Sequence, residues 1–107
     1  MHFLDNPENQ ELAYKAVEHS RSLGPLQKQI LLFLIKAARV GVVEVGATDL
    51  KIAINKASDS TSYRPAINSL CKNGYLIKTP VNKRFRYFIC EDKLQTLIAV
   101  YTTIMAQ

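Results

Sequence analysis

Ser60-Thr61-Ser62-Tyr63-Arg64-Pro65-Ala66-Ile67-Asn68-Ser69-Leu70, continued by Cys71-Lys72-Asn73-Gly74-Tyr75-Leu76, decides how the chain reads. The hydroxyl residues at its start, with Ser58 and Asp59 before them, are capping types and predict a turn followed by a new helix from about Ser62 to Lys72. Tyr63, Ile67 and Leu70, at spacings of four and three, mark its inward side. Thr61, Ser62, Arg64, Pro65 and Asn68 then point outward. Pro65 fits a helix only within the first turn, and Asn73-Gly74 ends the helix as a left-handed cap does.

Downstream, Tyr75-Leu76-Ile77-Lys78-Thr79 and Phe85-Arg86-Tyr87-Phe88-Ile89-Cys90 are β-branched and aromatic runs. Pro80-Val81-Asn82-Lys83-Arg84 lies between them, so the pair predicts a hairpin with a basic tip. Arg86 alternates with Phe85 and Tyr87, which turns a cation away from the core. Glu91-Asp92 caps a last helix over 92–106, where Leu94, Leu97, Ile98, Tyr101, Ile104 and Met105 recur at helical spacing.

Upstream, Asn6-Pro7 is a helix start, and Leu12, Ala13, Ala16, Val17 and Leu23 predict an amphipathic helix over 7–22. Gly24-Pro25 breaks it and begins the next. From Pro25 to Arg39 the apolar residues cover more than one face, which marks the central helix of the core. Val40 to Gly46 reads as a brief strand. Ala47 or Thr48 opens a further helix, with Asp49 in its first turn and Leu50, Ala53, Ile54 and Ala57 on its buried side.

The chain has 107 residues, which fits one domain over 1–107, and its 48% hydrophobic content is too high for disorder. The longest apolar run, Ile30 to Ile35, is far short of the ~20 residues a bilayer needs. The first residues carry neither a basic region nor an apolar stretch, so no signal peptide is expected and the protein reads as cytoplasmic. Charge is uneven. Of the net +5, residues 1–20 carry −3, residues 21–57 carry +4, residues 58–90 carry +5 and residues 91–107 carry −1. A concentration of this kind implies a polyanionic partner.

The order helix, short strand, helix, tight turn, helix, basic hairpin resembles the winged helix-turn-helix modules of MarR-like and PadR-like regulators. The resemblance covers residues 25–90 and lies in Thr48-Asp49-Leu50, the Ser60–Leu70 stretch and Lys72-Asn73-Gly74-Tyr75-Leu76. It implies an α+β, mainly helical fold: a winged helix with an extra N-terminal helix and a C-terminal helix. It also implies sequence-specific binding of double-stranded DNA by a dimeric, nucleoid-associated transcriptional regulator, in the commonest case a repressor.

An α-helix fits the major groove, and side chains near its N-terminus meet base edges. Arg64 can donate two hydrogen bonds to guanine and Asn68 can pair with adenine, each discriminating by ~1–3 kcal/mol. Ser60, Thr61 and Ser62 can bond phosphate, and Pro65 and Lys72 lie on the same helix. On the hairpin, Lys78, Lys83, Arg84 and Arg86 would grip the backbone or enter the minor groove. The last helix, uncharged after Lys93, is expected to form the dimer interface through Leu94, Leu97, Ile98, Tyr101, Ile104 and Met105. Two recognition helices would then stand ~34 Å apart.

Other classes find little in the sequence. Cys71 and Cys90, two thiols without a second pair, lack zinc spacing, and no metal or cofactor is expected. No phosphate-binding glycine loop, catalytic acid pair or Ser/His/Asp set is present, so the chain reads as non-enzymatic. Two alternatives stay open. One is a plasmid or phage partition or replication protein that binds repeated DNA sites. The other is a winged-helix module for protein–protein interaction, which the lysines and arginines of 58–90 argue against.

Overall fold

α2 (Pro25–Arg39) is the element around which the others are arranged. Its Ile30, Leu31, Leu34 and Ile35 are buried, and it packs against α1 (Pro7–Glu18), α3 (Ala47–Asn55), α4 (Tyr63–Lys72) and β3 (Arg84–Ile89). A helix apolar on more than one face needs neighbours on more than one side, and these supply them. The computed structural model describes residues 3–42, 44–55 and 63–106. Among these, five α-helices and a 3₁₀ turn at Phe3–Asp5 accompany a three-stranded antiparallel sheet, an α+β architecture.

α1 starts as its sequence demands: the Asn6 side chain accepts from the Glu8 amide at 2.8 Å, with Pro7 in the first turn. It ends at Glu18, four residues before the expected boundary. There the Ser20 hydroxyl accepts from the Ser22 amide at 3.3 Å, and Lys28 of α2 donates to the Glu18 carbonyl at 2.9 Å. Local serine bonds compete with the helical ladder, and a cation satisfies the carbonyl left open. Leu23 is buried all the same, from the connecting loop, which is why its spacing resembled a longer helix.

The expected strand over 40–46 is reduced to β1 (Val45–Gly46), paired with β3 through Val45↔Tyr87 and Gly46↔Arg86. β2 (Leu76–Val81) flanks β3 on its other side, giving the order β1-β3-β2. Asp49, in the first turn of α3, reaches back to accept from the Gly46 amide at 3.0 Å, closing that helix start. Leu50 is fully buried and Ala53 half-buried. Ala57, the Ile54 side chain and the expected turn at Ser58–Thr61 lie outside the described residues.

α4 buries Ala66, Ile67 and Leu70. Pro65 falls in its first turn. Its end is a two-bond cap: the Tyr75 amide donates to the Leu70 carbonyl at 2.9 Å, and the Gly74 amide to that of Cys71 at 3.2 Å. Gly74 stands at φ 85°, the left-handed conformation this cap requires.

The hairpin is tighter than its sequence suggested. Val81 pairs with Arg84 and Pro80 with Phe85, so the loop is Asn82-Lys83 alone, with φ 49° and 67°. Two central residues of positive φ make the turn whose twist matches the strands, and Asn tolerates that conformation without glycine. Pro80, lacking an N–H, is accommodated because β2 is an edge strand.

α5 (Glu91–Met105) has Cys90 at its N-cap, with no side-chain capping bond. Glu91 and Asp92 occupy the first turn rather than the cap, where they favour the helix dipole. Glu91 also accepts from the Leu4 amide at 2.9 Å, tying the N-terminal turn to α5. Leu94, Leu97 and Ile98 are buried against the chain itself, and α5 packs along α1. The sequence expected these three at an interface with a second copy; in this chain they close its own core. Leu94→Ala is expected to destabilise the protein by about 2–5 kcal/mol, because a fully buried leucine leaves a cavity when truncated. Urea unfolding followed by circular dichroism measures this; a loss under ~1 kcal/mol would mean that α5 is not part of the core.

Candidate functional site

Arg64, Asn68 and Lys72 recur every fourth residue of α4 and are all exposed, as is Pro65. The stripe lies opposite Ala66, Ile67 and Leu70, whose burial orients the helix. Packing on one side thus presents a guanidinium, an amide and an ammonium on the other. Ser69, on the flank, is half-buried and held by Gln27 of α2, whose Nε2 donates to its Oγ at 3.0 Å. The same Gln27 accepts from the Gly24 amide at 3.2 Å, so one side chain fixes both the α2 start and the rotation of α4. Ser60, Thr61 and Ser62 lie outside the described residues.

The hairpin brings a further cation, Lys78, near α4 and carries two more at its tip. β2 packs against that helix, and Lys78 of β2 exerts its charge on the thiol of Cys71. Lys78 is exposed and stands over the Phe85 ring, 4.0 Å from its centroid. The register explains this contact. Lys78 is opposite Tyr87 and Pro80 is opposite Phe85, so Lys78 and Phe85 are diagonal neighbours on one face of the ribbon. Lys83 and Arg84 are exposed at the turn.

Arg86 is placed differently from its companions. It is half-buried: its Nε lies 3.5 Å from Glu44 Oε1, and its Nη2 donates to the Glu44 carbonyl at 3.4 Å. A Cβ at Gly46 would stand 3.3 Å from Arg86 Nη1, so the guanidinium passes close over that glycine. Arg86 therefore ties β3 to the segment before β1 and offers less charge outward than Lys78, Lys83 and Arg84.

α5 divides its expected set in two. Leu94, Leu97 and Ile98 are interior, and Tyr101 is half-buried with its ring stacked on His19 of α1 at 5.6 Å. Ile104 and Met105 are exposed, joined by Val100, which the sequence reading did not single out. It also missed the exposure of Phe85. The signal for Phe85 was its place beside the hairpin tip, beyond the reach of the core.

The exposed face of α4 and the outer hairpin thus carry five cations, Arg64, Lys72, Lys78, Lys83 and Arg84, together with the donor and acceptor of Asn68. Such a surface can neutralise a row of anionic groups while its amide and guanidinium read hydrogen-bond patterns. Among the described residues no group of three His, Cys, Asp or Glu is placed to hold a metal ion, and no helix is long and apolar enough to cross a membrane. Compared with known proteins, the chain matches no protein-family model and no curated protein.

Cys71 and Cys90 are both free thiols. Burial pushes the Cys71 thiol above its ordinary value, and the Lys78 ammonium opposes part of that rise. Alkylation by iodoacetamide needs the thiolate, so the rate at Cys71 is expected to rise with pH later than that of an unhindered thiol. Lys78→Ala removes the opposing charge and should shift the profile to still higher pH. Mass spectrometry of the labelled peptide checks this; a shift to lower pH in the variant would contradict it.

Proposed function

We propose that the protein binds double-stranded DNA sequence-specifically as a winged helix-turn-helix module and acts as a transcriptional regulator, most simply a repressor. The observation that carries the reading is the stripe Arg64, Asn68 and Lys72 on the outer face of α4, with the hairpin cation Lys78 beside the same helix. In this reading α4 lies in the major groove, where its width admits a helix and where bases present distinct donor and acceptor patterns. Arg64 contacts guanine and Asn68 adenine, while Lys72, Lys78, Lys83 and Arg84 hold phosphates.

The acidic segments fit the same reading. Glu8, Glu11 and Glu18 lie on α1, a different element from the one proposed to meet DNA, and Glu91 and Asp92 open α5. A strand of phosphates would be repelled by these faces and drawn to the other, which orients the approach.

Fluorescence anisotropy with a selected duplex and a random one tests the proposal. Affinity should fall steeply with salt, by about 0.9 log units per log unit of salt for each phosphate neutralised. Arg64→Ala should weaken the selected duplex by ~5- to 150-fold and leave the random one nearly unchanged. Lys83→Ala with Arg84→Ala should weaken both alike and flatten the salt slope by about 2. Equal losses on both duplexes for Arg64→Ala would remove its base-reading role.

The reading includes a two-fold dimer, in which two α4 helices meet a palindromic site. With Leu94, Leu97 and Ile98 committed to the core, the residues of the last helix left to meet a second copy are Val100, Ile104 and Met105. Sedimentation should find a particle of twice 12.1 kDa, reduced to one copy by Ile104→Glu. A wild-type protein sedimenting at 12.1 kDa would end the dimer.

A further inference from the structure

The hairpin tip carries apolar surface where an edge ribbon ordinarily carries none. Phe85 is 46% exposed and Val81 45% exposed, and Pro80, opposite Phe85, is exposed as well. Lys78 stands over one face of the Phe85 ring, which keeps this exposure all the same. Exposed apolar residues on an edge strand invite association, and charged neighbours usually replace or guard them. Here Lys78 shares the Pro80–Phe85 face, two residues before Pro80, while Arg84, paired with Val81, alternates to the other face and Lys83 stands in the turn.

The ring is also held in place. Lys78 Nζ stands 4.0 Å from its centroid, and the two-residue turn fixes the strands that carry it. A group presented this way loses little freedom on binding. Its setting, an apolar ring with one cation over it and two more at the adjoining turn, suits a duplex, whose phosphates lie outside and whose stacked bases lie within.

We infer that Phe85, backed by Pro80, is a wedge that enters the minor groove and partly unstacks one base step, bending the duplex away from the hairpin. The inference rests on the DNA-binding reading above and adds to it a deformation of the DNA. Groove dimensions favour it. It is the major groove, ~12 Å wide, that admits a two-stranded ribbon, so the hairpin enters the ~6 Å minor groove only where that groove is opened. Apolar wedges such as Phe and Pro open that groove by unstacking a step and kinking the duplex toward the major groove. Lys78, Lys83 and Arg84 hold the phosphates that line the widened minor groove. The cost of unstacking depends on the step, least for flexible pyrimidine–purine steps, so Phe85 would add sequence preference at a position that no hydrogen bond reads.

The test is a selected duplex with donor and acceptor dyes at its ends and 2-aminopurine placed at successive steps under the hairpin. Wild-type protein is expected to bring the ends closer and to raise 2-aminopurine fluorescence at one step. Phe85→Ala should bind about tenfold more weakly and leave the duplex straight. Phe85→Leu, which keeps an apolar side chain, should retain part of the bend. Wild-type protein that binds a straight duplex with no fluorescence rise overturns the wedge and spares the DNA-binding reading. Phe85→Ala bending as the wild type does has the same consequence. Wild-type protein that binds no duplex overturns both.

Discussion

Tyr75 joins three elements through its backbone. Its amide donates to the Leu70 carbonyl of α4 at 2.9 Å, and its carbonyl accepts from the Cys90 amide at the start of α5 at 2.8 Å. β2 begins one residue later, and the tyrosine itself is buried with Lys93 of α5 over its ring at 5.4 Å. The end of α4, the base of the hairpin and the beginning of α5 are thereby held at one point. The left-handed Gly74 makes this possible, because only such a turn delivers the chain from the helix into the strand in so little length. The shared surface of α4 and the hairpin depends on this junction.

Charge is sorted around that framework. Glu44 holds Arg86, Glu91 receives the Leu4 amide, and Asp49 closes the start of α3, so these three acids serve local structure. The cations on α4 and at the hairpin tip are left facing outward. The exposed side of α4 and the hairpin tip carry Arg64, Lys72, Lys83 and Arg84, and that concentration of basic residues is what the proposed function builds on.

Much of this was legible in the sequence because the signals were local. Asn6-Pro7, Gly24-Pro25 and Asn73-Gly74 mark backbone geometry directly, and the apolar run of α2 announces burial on several sides. The rest depended on tertiary contacts. Leu23 is buried from a loop, so its spacing prolonged α1 in the reading although serine bonds stop that helix at Glu18. The hairpin loop shrank to Asn82-Lys83 because strand pairing carried Pro80, Val81 and Arg84 into the ladder. Leu94, Leu97 and Ile98 carry the same periodic signature whether they face a second copy or the chain's own core, and only the packing of α5 along α1 shows them buried within this chain. Arg64, Asn68 and Lys72 could be placed outward from Ile67 and Leu70 alone. By contrast, the Arg86–Glu44 pair joins residues far apart in sequence and left no pattern to read.

The most direct test of the central claim is a map of amide chemical shifts in isotope-labelled protein as a short DNA duplex is added. The account predicts changes concentrated at Arg64, Asn68 and Lys72 of α4 and at Lys78, Lys83 and Arg84 of the hairpin, with the outer face of α1 undisturbed. Shifts centred on α1 or on the end of α5, with α4 and the hairpin silent, would contradict it.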